Sequence, residues 1–115
     1  MRRVTADNPV DLPTLRAMAE ATFGDMVKAV VDLQRGVMLV DAEMHADLEA
    51  ALLEEGSDQY HLWGINLYPD LPAAEWVEFD SLINLRPSQG NRSRSVEDGA
   101  TRAAILALVG QLVRR

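Results

Sequence analysis

The sequence predicts an α+β domain: a four-stranded, mainly antiparallel sheet with helices packed on it, in the order α-β-β-α-β-β-α. Three observations lead there. The β-branched runs V-K-A-V-V-D-L and V-M-L-V-D flank Gln34-Arg35-Gly36, the pattern of a hairpin whose glycine supplies a positive φ. Two later segments, Tyr60–Tyr68 and Trp76–Arg86, alternate apolar and polar residues across the turn P-D-L-P-A-A. Three further stretches carry helical spacing, and the last is apolar on most of its circumference. At 115 residues the chain is read as a single domain, 1–115, with one core and residues 1–8 as a loosely ordered tail.

In chain order, Asn8-Pro9 or Asp11 can cap a helix from about Val10 to Phe23, with Leu12, Leu15, Ala19 and Phe23 on one stripe and Gly24 ending it. The hairpin Met26–Asp41 has apolar residues on both faces, which predicts central strands. Asp41 is a candidate cap for a helix over Ala42–Glu55, buried through Met44, Leu48, Ala51 and Leu52 and closed by Gly56. In the second strand pair, matching apolar to apolar sets Leu67 opposite Val77, Asn66 beside Glu78 and Gly64 beside Asp80. Trp63, Ile65, Leu67, Val77, Phe79, Ile83 and Leu85 then share a buried side. Asn66, Glu78, Asp80 and Asn84 form a polar one, where Gly64 leaves room for an approaching group. Ser95 and Asp98 read as a capping box opening the final helix, Val96–Val113.

Charge excludes some functions. The net charge of −7 opposes a phosphate backbone, so no nucleic acid partner is expected. No apolar run is long enough for a membrane span, and the N-terminus has no secretory apolar region, so the expectation is a cytoplasmic protein with no membrane partner. Zero cysteines exclude disulfides, thiol catalysis and thiolate metal ligation. From Val37 to Leu85 there are eleven carboxylates and no Lys or Arg, whereas Asn84–Asp98 holds three arginines against two acids.

That arginine loop is the candidate site. Arg86, Ser88, Asn91, Arg92, Ser93 and Arg94 offer guanidinium forks and small donors beside a helix N-terminus, which suits phosphate or carboxylate. Asn66, Glu78, Asp80 and Asn84 adjoin it. The loop lacks the G-x-x-x-x-G-K-[ST] pattern, so it is not a P-loop. Internally, Arg86 is expected to pair with Asp80 or Glu97, leaving Arg92 and Arg94 accessible. Glu43, His45, Asp47 and Glu49 cluster on the second helix. A solvated acidic face explains them without metal, and neither a metal nor a cofactor is expected. His61 reads as a hydrogen-bonded structural histidine. The scattered serines and threonines include no nucleophile elbow.

The segments W-G-I-N-L-Y-P and N-L-R-P-S-Q-G-N-R-S resemble a small prokaryotic domain family of unknown function, over a span from about Phe23 to the C-terminus. The resemblance implies a stand-alone domain and carries no activity, substrate or cofactor. Two readings stand. One is a non-enzymatic interaction or structural domain forming a homo-oligomer, most simply a homodimer, because the apolar last helix needs covering. The alternative is an anion-binding domain or small enzyme using the arginine loop with a small anionic ligand. Whether the chain is an enzyme is left open.

Overall fold

In the computed structural model, which describes all 115 residues, the chain runs β1 (Arg2–Val4), β2 (Val10–Asp11), α1 (Leu12–Ala21), β3 (Val27–Asp32), β4 (Val37–Val40), α2 (His45–Glu54), β5 (Leu62–Leu67), β6 (Val77–Glu78), α3 (Gly99–Leu112) and β7 (Val113–Arg114). The class is α+β as expected, with three helices on a mainly antiparallel sheet. That sheet has five strands, not four, in the order β1-β4-β3-β5-β6, and each pairing is antiparallel. A short parallel pair, β2-β7, ties the start of α1 to the end of α3. The chain therefore departs from α-β-β-α-β-β-α at both ends. No helix is long and apolar enough to cross a membrane.

The added strand comes from residues 1–8, expected as a loose tail. Arg2, Arg3 and Val4 pair with Val40, Leu39 and Met38, and Val4 is fully buried. An Arg-Arg-Val triplet has no alternation to read. It becomes a strand because β4 has backbone groups to satisfy on that side, and its arginines suit a solvent-facing edge. The hairpin sits centrally, as its two apolar faces demand, with β3 between β4 and β5.

Caps explain where the helices start. Asp11 accepts from the Thr14 N–H at 2.9 Å with Pro13 in the first turn, so α1 opens there. It ends at Ala21, and Phe23, expected on the buried stripe, is exposed. Asp41 does not cap α2. Its φ of 75° is left-handed, unlike the extended backbone of a cap, and α2 starts later, at His45, after Met44, with no side-chain cap. The stripe shifts with it: His45, Leu48 and Leu52 are buried and Met44 is exposed. Asp98, not Ser95, caps α3, accepting from the Thr101 N–H at 2.9 Å and hydroxyl at 2.8 Å. The helix accordingly begins at Gly99 and leaves Val96 buried ahead of it.

Two apolar clusters hold the layers together. Nineteen residues from α1, α3, one sheet face, the β2-β7 pair and the loop positions Trp76 and Val96 form the larger, including Leu15, Val31, Met38, Ile65, Ile105 and Leu112. Six residues, Val30, Val37, Leu39, Leu48, Leu52 and Leu62, join α2 to the opposite face. Each such fully buried aliphatic side chain contributes about 1.5–3 kcal/mol of transfer free energy. On α3, Ile105, Val109 and Leu112 face inward, while Ala103, Ala104, Leu106, Ala107 and Gly110 remain exposed.

The register of the second strand pair holds where it was most constrained: Leu67 lies opposite Val77 and Asn66 opposite Glu78. Beyond Glu78 it fails. The expected Gly64–Asp80 pair does not form, and the chain turns through a 3-10 turn at Leu82–Asn84. Val77 and Phe79 still pack with Trp63, Ile65 and Leu67, but Ile83 joins the α2 cluster and Leu85 is exposed. The room at Gly64 is filled by Ser81. A Cβ on Gly64 would lie 2.6 Å from both Cβ and Oγ of Ser81, itself only 1% exposed. Gly64→Ala is therefore expected to destabilise the domain by about 1–3 kcal/mol, read as a lower urea midpoint with unchanged slope. A midpoint equal to wild type would show that Ser81 gives way freely.

Candidate functional site

The arginine loop is folded from within. Asn91 and Arg86 exchange backbone hydrogen bonds at 2.8 and 3.1 Å, with Gly90 at φ 83° closing the turn between them. The Asn91 side chain then fills the loop's centre. Its Nδ2 reaches the carbonyls of Asn84 and Ser95 at 2.7 Å each and of Ser93 at 3.1 Å, and its Oδ1 accepts from the Glu97 N–H at 2.9 Å. Asn84 turns the other way, into the sheet. Its Oδ1 accepts from the Gly64 N–H at 2.8 Å and its Nδ2 donates to the Gly64 carbonyl at 2.9 Å. One side-chain amide thus stands where a neighbouring strand would have been.

Arg86 is buried beside it and meets no carboxylate. It donates to the carbonyls of Ile83 at 2.9 Å, Gln59 at 2.8 Å and Leu62, and to Gln89 Oε1 at 3.4 Å. Its guanidinium lies 4.6 Å from the Trp63 ring centre. Burial lowers its pKa, with only the Glu49 carboxylate opposing. The expected pairing of Arg86 with Asp80 or Glu97 is replaced: Arg94 Nε takes Asp80 at 2.8 Å, with both side chains about half exposed. Glu97 instead accepts from Ser93 and from the Arg92 N–H at 2.8 Å, contacts that hold its carboxyl below the usual range.

The six anion-binding candidates are thus divided. Arg86 and Asn91 are internal, Ser93 and Arg94 are engaged by Glu97 and Asp80, and Ser88 and Arg92 lie on the surface. The adjoining polar face does assemble in part. Asn66 Nδ2 donates to Glu78 Oε1 at 2.8 Å and to the Asp80 carbonyl at 3.1 Å, and Tyr68 adds its hydroxyl to Glu78. His45 is buried with its Nε2 2.8 Å from the Ile65 carbonyl, and desolvation lowers its pKa, which favours the neutral ring. That contact separates it from Glu43, Asp47 and Glu49, whose side chains face solvent to a greater degree. His61 is half-buried, its ring in a T-shaped contact with that of Tyr60, centroids 5.2 Å apart.

What the loop builds is one wall of a cleft of about 390 Å³. The Gln89–Asn91 turn forms that wall, and Tyr60, His61 and Trp63 form the facing one with Leu33. Asp98 and Thr101, at the start of α3, complete it. Gln89 braces the two sides, its Nε2 donating to the Tyr60 carbonyl at 2.8 Å. The Thr101 hydrogen bonds hold the Asp98 carboxyl below its ordinary pKa, so it is ionised at neutral pH. Tyr60, Trp63 and Gln89 carry no site motif in the sequence. The aromatic spacing Tyr60-His61-x-Trp63 is the available signal, but strand alternation assigns Tyr60 to the face opposite His61 and Trp63.

Together these features define a small α+β domain with a preformed cleft beside a capped helix. Residues 5–112 match the family described as Protein of unknown function (DUF5674), and the chain belongs to that family. No curated protein and no solved structure matches it significantly.

The loop network implies a ranking of variants. Asn91→Ala removes the partner of several buried backbone groups and is expected to cost about 2–4 kcal/mol in urea unfolding, whereas Arg94→Ala breaks an exposed pair worth about 0–1 kcal/mol. Equal losses in the two variants would contradict the assignment of Asn91 as the centre of the loop.

Proposed function

We propose that this chain is a non-enzymatic interaction domain that binds a partner in the cleft between Tyr60, Trp63 and the Gln89–Asn91 turn. The observation carrying this reading is that Arg86, Gln89 and Asn91 are committed to internal partners that hold the cleft walls in place. A recess preformed in this way loses little conformational entropy when filled. Its aromatic walls supply contact area at low ordering cost. In a panel of short peptides followed by heteronuclear NMR, saturable shifts confined to Tyr60, His61, Gln89–Asn91 and Thr101 support the reading. Shifts centred elsewhere, or none, reject it.

Self-association belongs to the same proposal. The outward face of α3 exposes Ala103, Leu106, Ala107 and Gly110, and from Gly99 to Arg115 there is no acidic residue in a chain of net charge −7. Beside it lies a mainly apolar groove of about 240 Å³ bounded by Ala73, Trp76, Leu106 and Gly110. A second copy of the chain across a two-fold axis would cover this face. Light scattering at micromolar concentration is expected to give twice the 12.7 kDa chain mass. A monomer mass removes the homodimer.

One observation favours the anion-binding alternative, a small enzyme included. Lys28 and Arg94 line a recess of about 150 Å³ at the start of α2, whose first N–H groups have no side-chain cap. Millimolar phosphate should then raise the melting temperature of wild type and not of Arg94→Ala. No shift in wild type removes this alternative.

A further inference from the structure

We infer that the cleft between Tyr60 and Asp98 selects a cationic side chain, most favourably an arginine presented by a basic peptide segment of a partner protein. This rests on the reading of the cleft as the binding site and specifies what it accepts.

The molecule shows how it uses its aromatic rings. Arg86 lies 4.6 Å from the Trp63 ring centre, Arg102 4.7 Å from Phe79, Arg115 4.9 Å from Trp76 and Lys28 5.0 Å from Phe23. With two Phe and two Trp in the chain, every one of these rings bears an internal cation. Of the two tyrosines, neither of which has such a partner, Tyr68 is partly buried and donates to Glu78, whereas Tyr60 stands open. It is 60% exposed, stands in a T-shaped contact with His61, and lines the cleft.

The charge of the cleft fits the same ligand. Asp98 is its one carboxylate, no Lys or Arg lines it, and the hydrogen bonds from Thr101 keep that carboxylate ionised. The N-terminus of α3 opposes it with an effective charge of only about +0.5, so roughly half a negative charge remains at the helix start. Arg86 lies against Trp63, but it does not line the cleft and its donors are directed to carbonyls and to Gln89. The net charge of −7 draws basic partners from a distance. A guanidinium combines stacking on a phenol face with forked N–H donation to a carboxylate, which an ammonium does less well and a neutral urea cannot match. A peptide is the favoured carrier because Gln89 and Gly90 line the same recess and their backbone carbonyls accept no internal hydrogen bond.

The test titrates the full chain with acetyl-Gly-Arg-Gly-amide, its lysine counterpart and its citrulline counterpart, which is close in shape and uncharged. The observables are the NMR resonances of Tyr60, His61 and Thr101. The arginine peptide is expected to bind at least about fivefold more tightly than the citrulline peptide, with lysine between them. Asp98→Asn should reduce arginine binding by a similar factor while the fold is retained, since asparagine caps a helix nearly as well as aspartate. Tyr60→Leu supplies a second variant, at an exposed position, that should weaken the arginine peptide and leave the melting temperature unchanged. Equal binding of the arginine and citrulline peptides would overturn the cation preference and leave the cleft as a binding site. No perturbation by any of the three up to about 10 mM would overturn both.

Discussion

The outer edge of β5 is the demand around which the second half of this protein is arranged. β6 pairs with only Asn66 and Leu67, so the groups nearer the start of the strand need other partners. Asn84 supplies them for Gly64 through both atoms of its amide, and Arg86 supplies one for the Leu62 carbonyl. A buried backbone group left without its partner costs about 1–3 kcal/mol. The loop that carries Asn84 and Arg86 is thus part of the sheet in energetic terms, although it has no strand geometry. Asn91 is what keeps that loop in shape.

This arrangement changes what the arginines are for. A guanidinium carries five N–H donors in a rigid plane, so one Arg86 can satisfy several carbonyls that point in different directions. The ring of Trp63 then takes the place of a counter-ion. The acidic stretch from Val37 to Leu85 meets the loop's arginines through a single exposed pair, Asp80–Arg94. Such a pair is worth little. The remaining carboxylates in the stretch are mostly solvated or, like Glu55 with Arg3 and Arg35, paired near the surface. The electrostatic asymmetry visible in the sequence therefore contributes little to stability.

Placement of α3 links the core to both proposed surfaces. Its inner stripe buries Ile105, Val109 and Leu112, and its last turn runs directly into β7, which pairs with β2. The helix is thereby held at its C-terminal end by backbone hydrogen bonds and at its start by the Asp98 cap. Its N-terminus meets the cleft, while Leu106 and Gly110 on its outer face border the apolar groove. A shift of α3 would alter both places together.

By itself the sequence determined the class of fold, the central hairpin and the register of Leu67 with Val77, and it narrowed the first helix cap to Asn8-Pro9 or Asp11. Each of these depends on neighbours a few residues apart or on apolar alternation, which local sterics and solvent exposure write directly into the chain. Only the tertiary structure decided that Arg2–Val4 is a strand, that the last strand stops at Glu78, and where Asn84, Arg86 and Asn91 send their side chains. Asn84 meets Gly64 across 20 residues and Arg86 meets Gln59 across 27. Side-chain donors of this kind look identical in sequence whether they face an anion or a distant carbonyl. Their choice is set by which backbone groups the finished sheet leaves unsatisfied, and that is a property of the assembled fold.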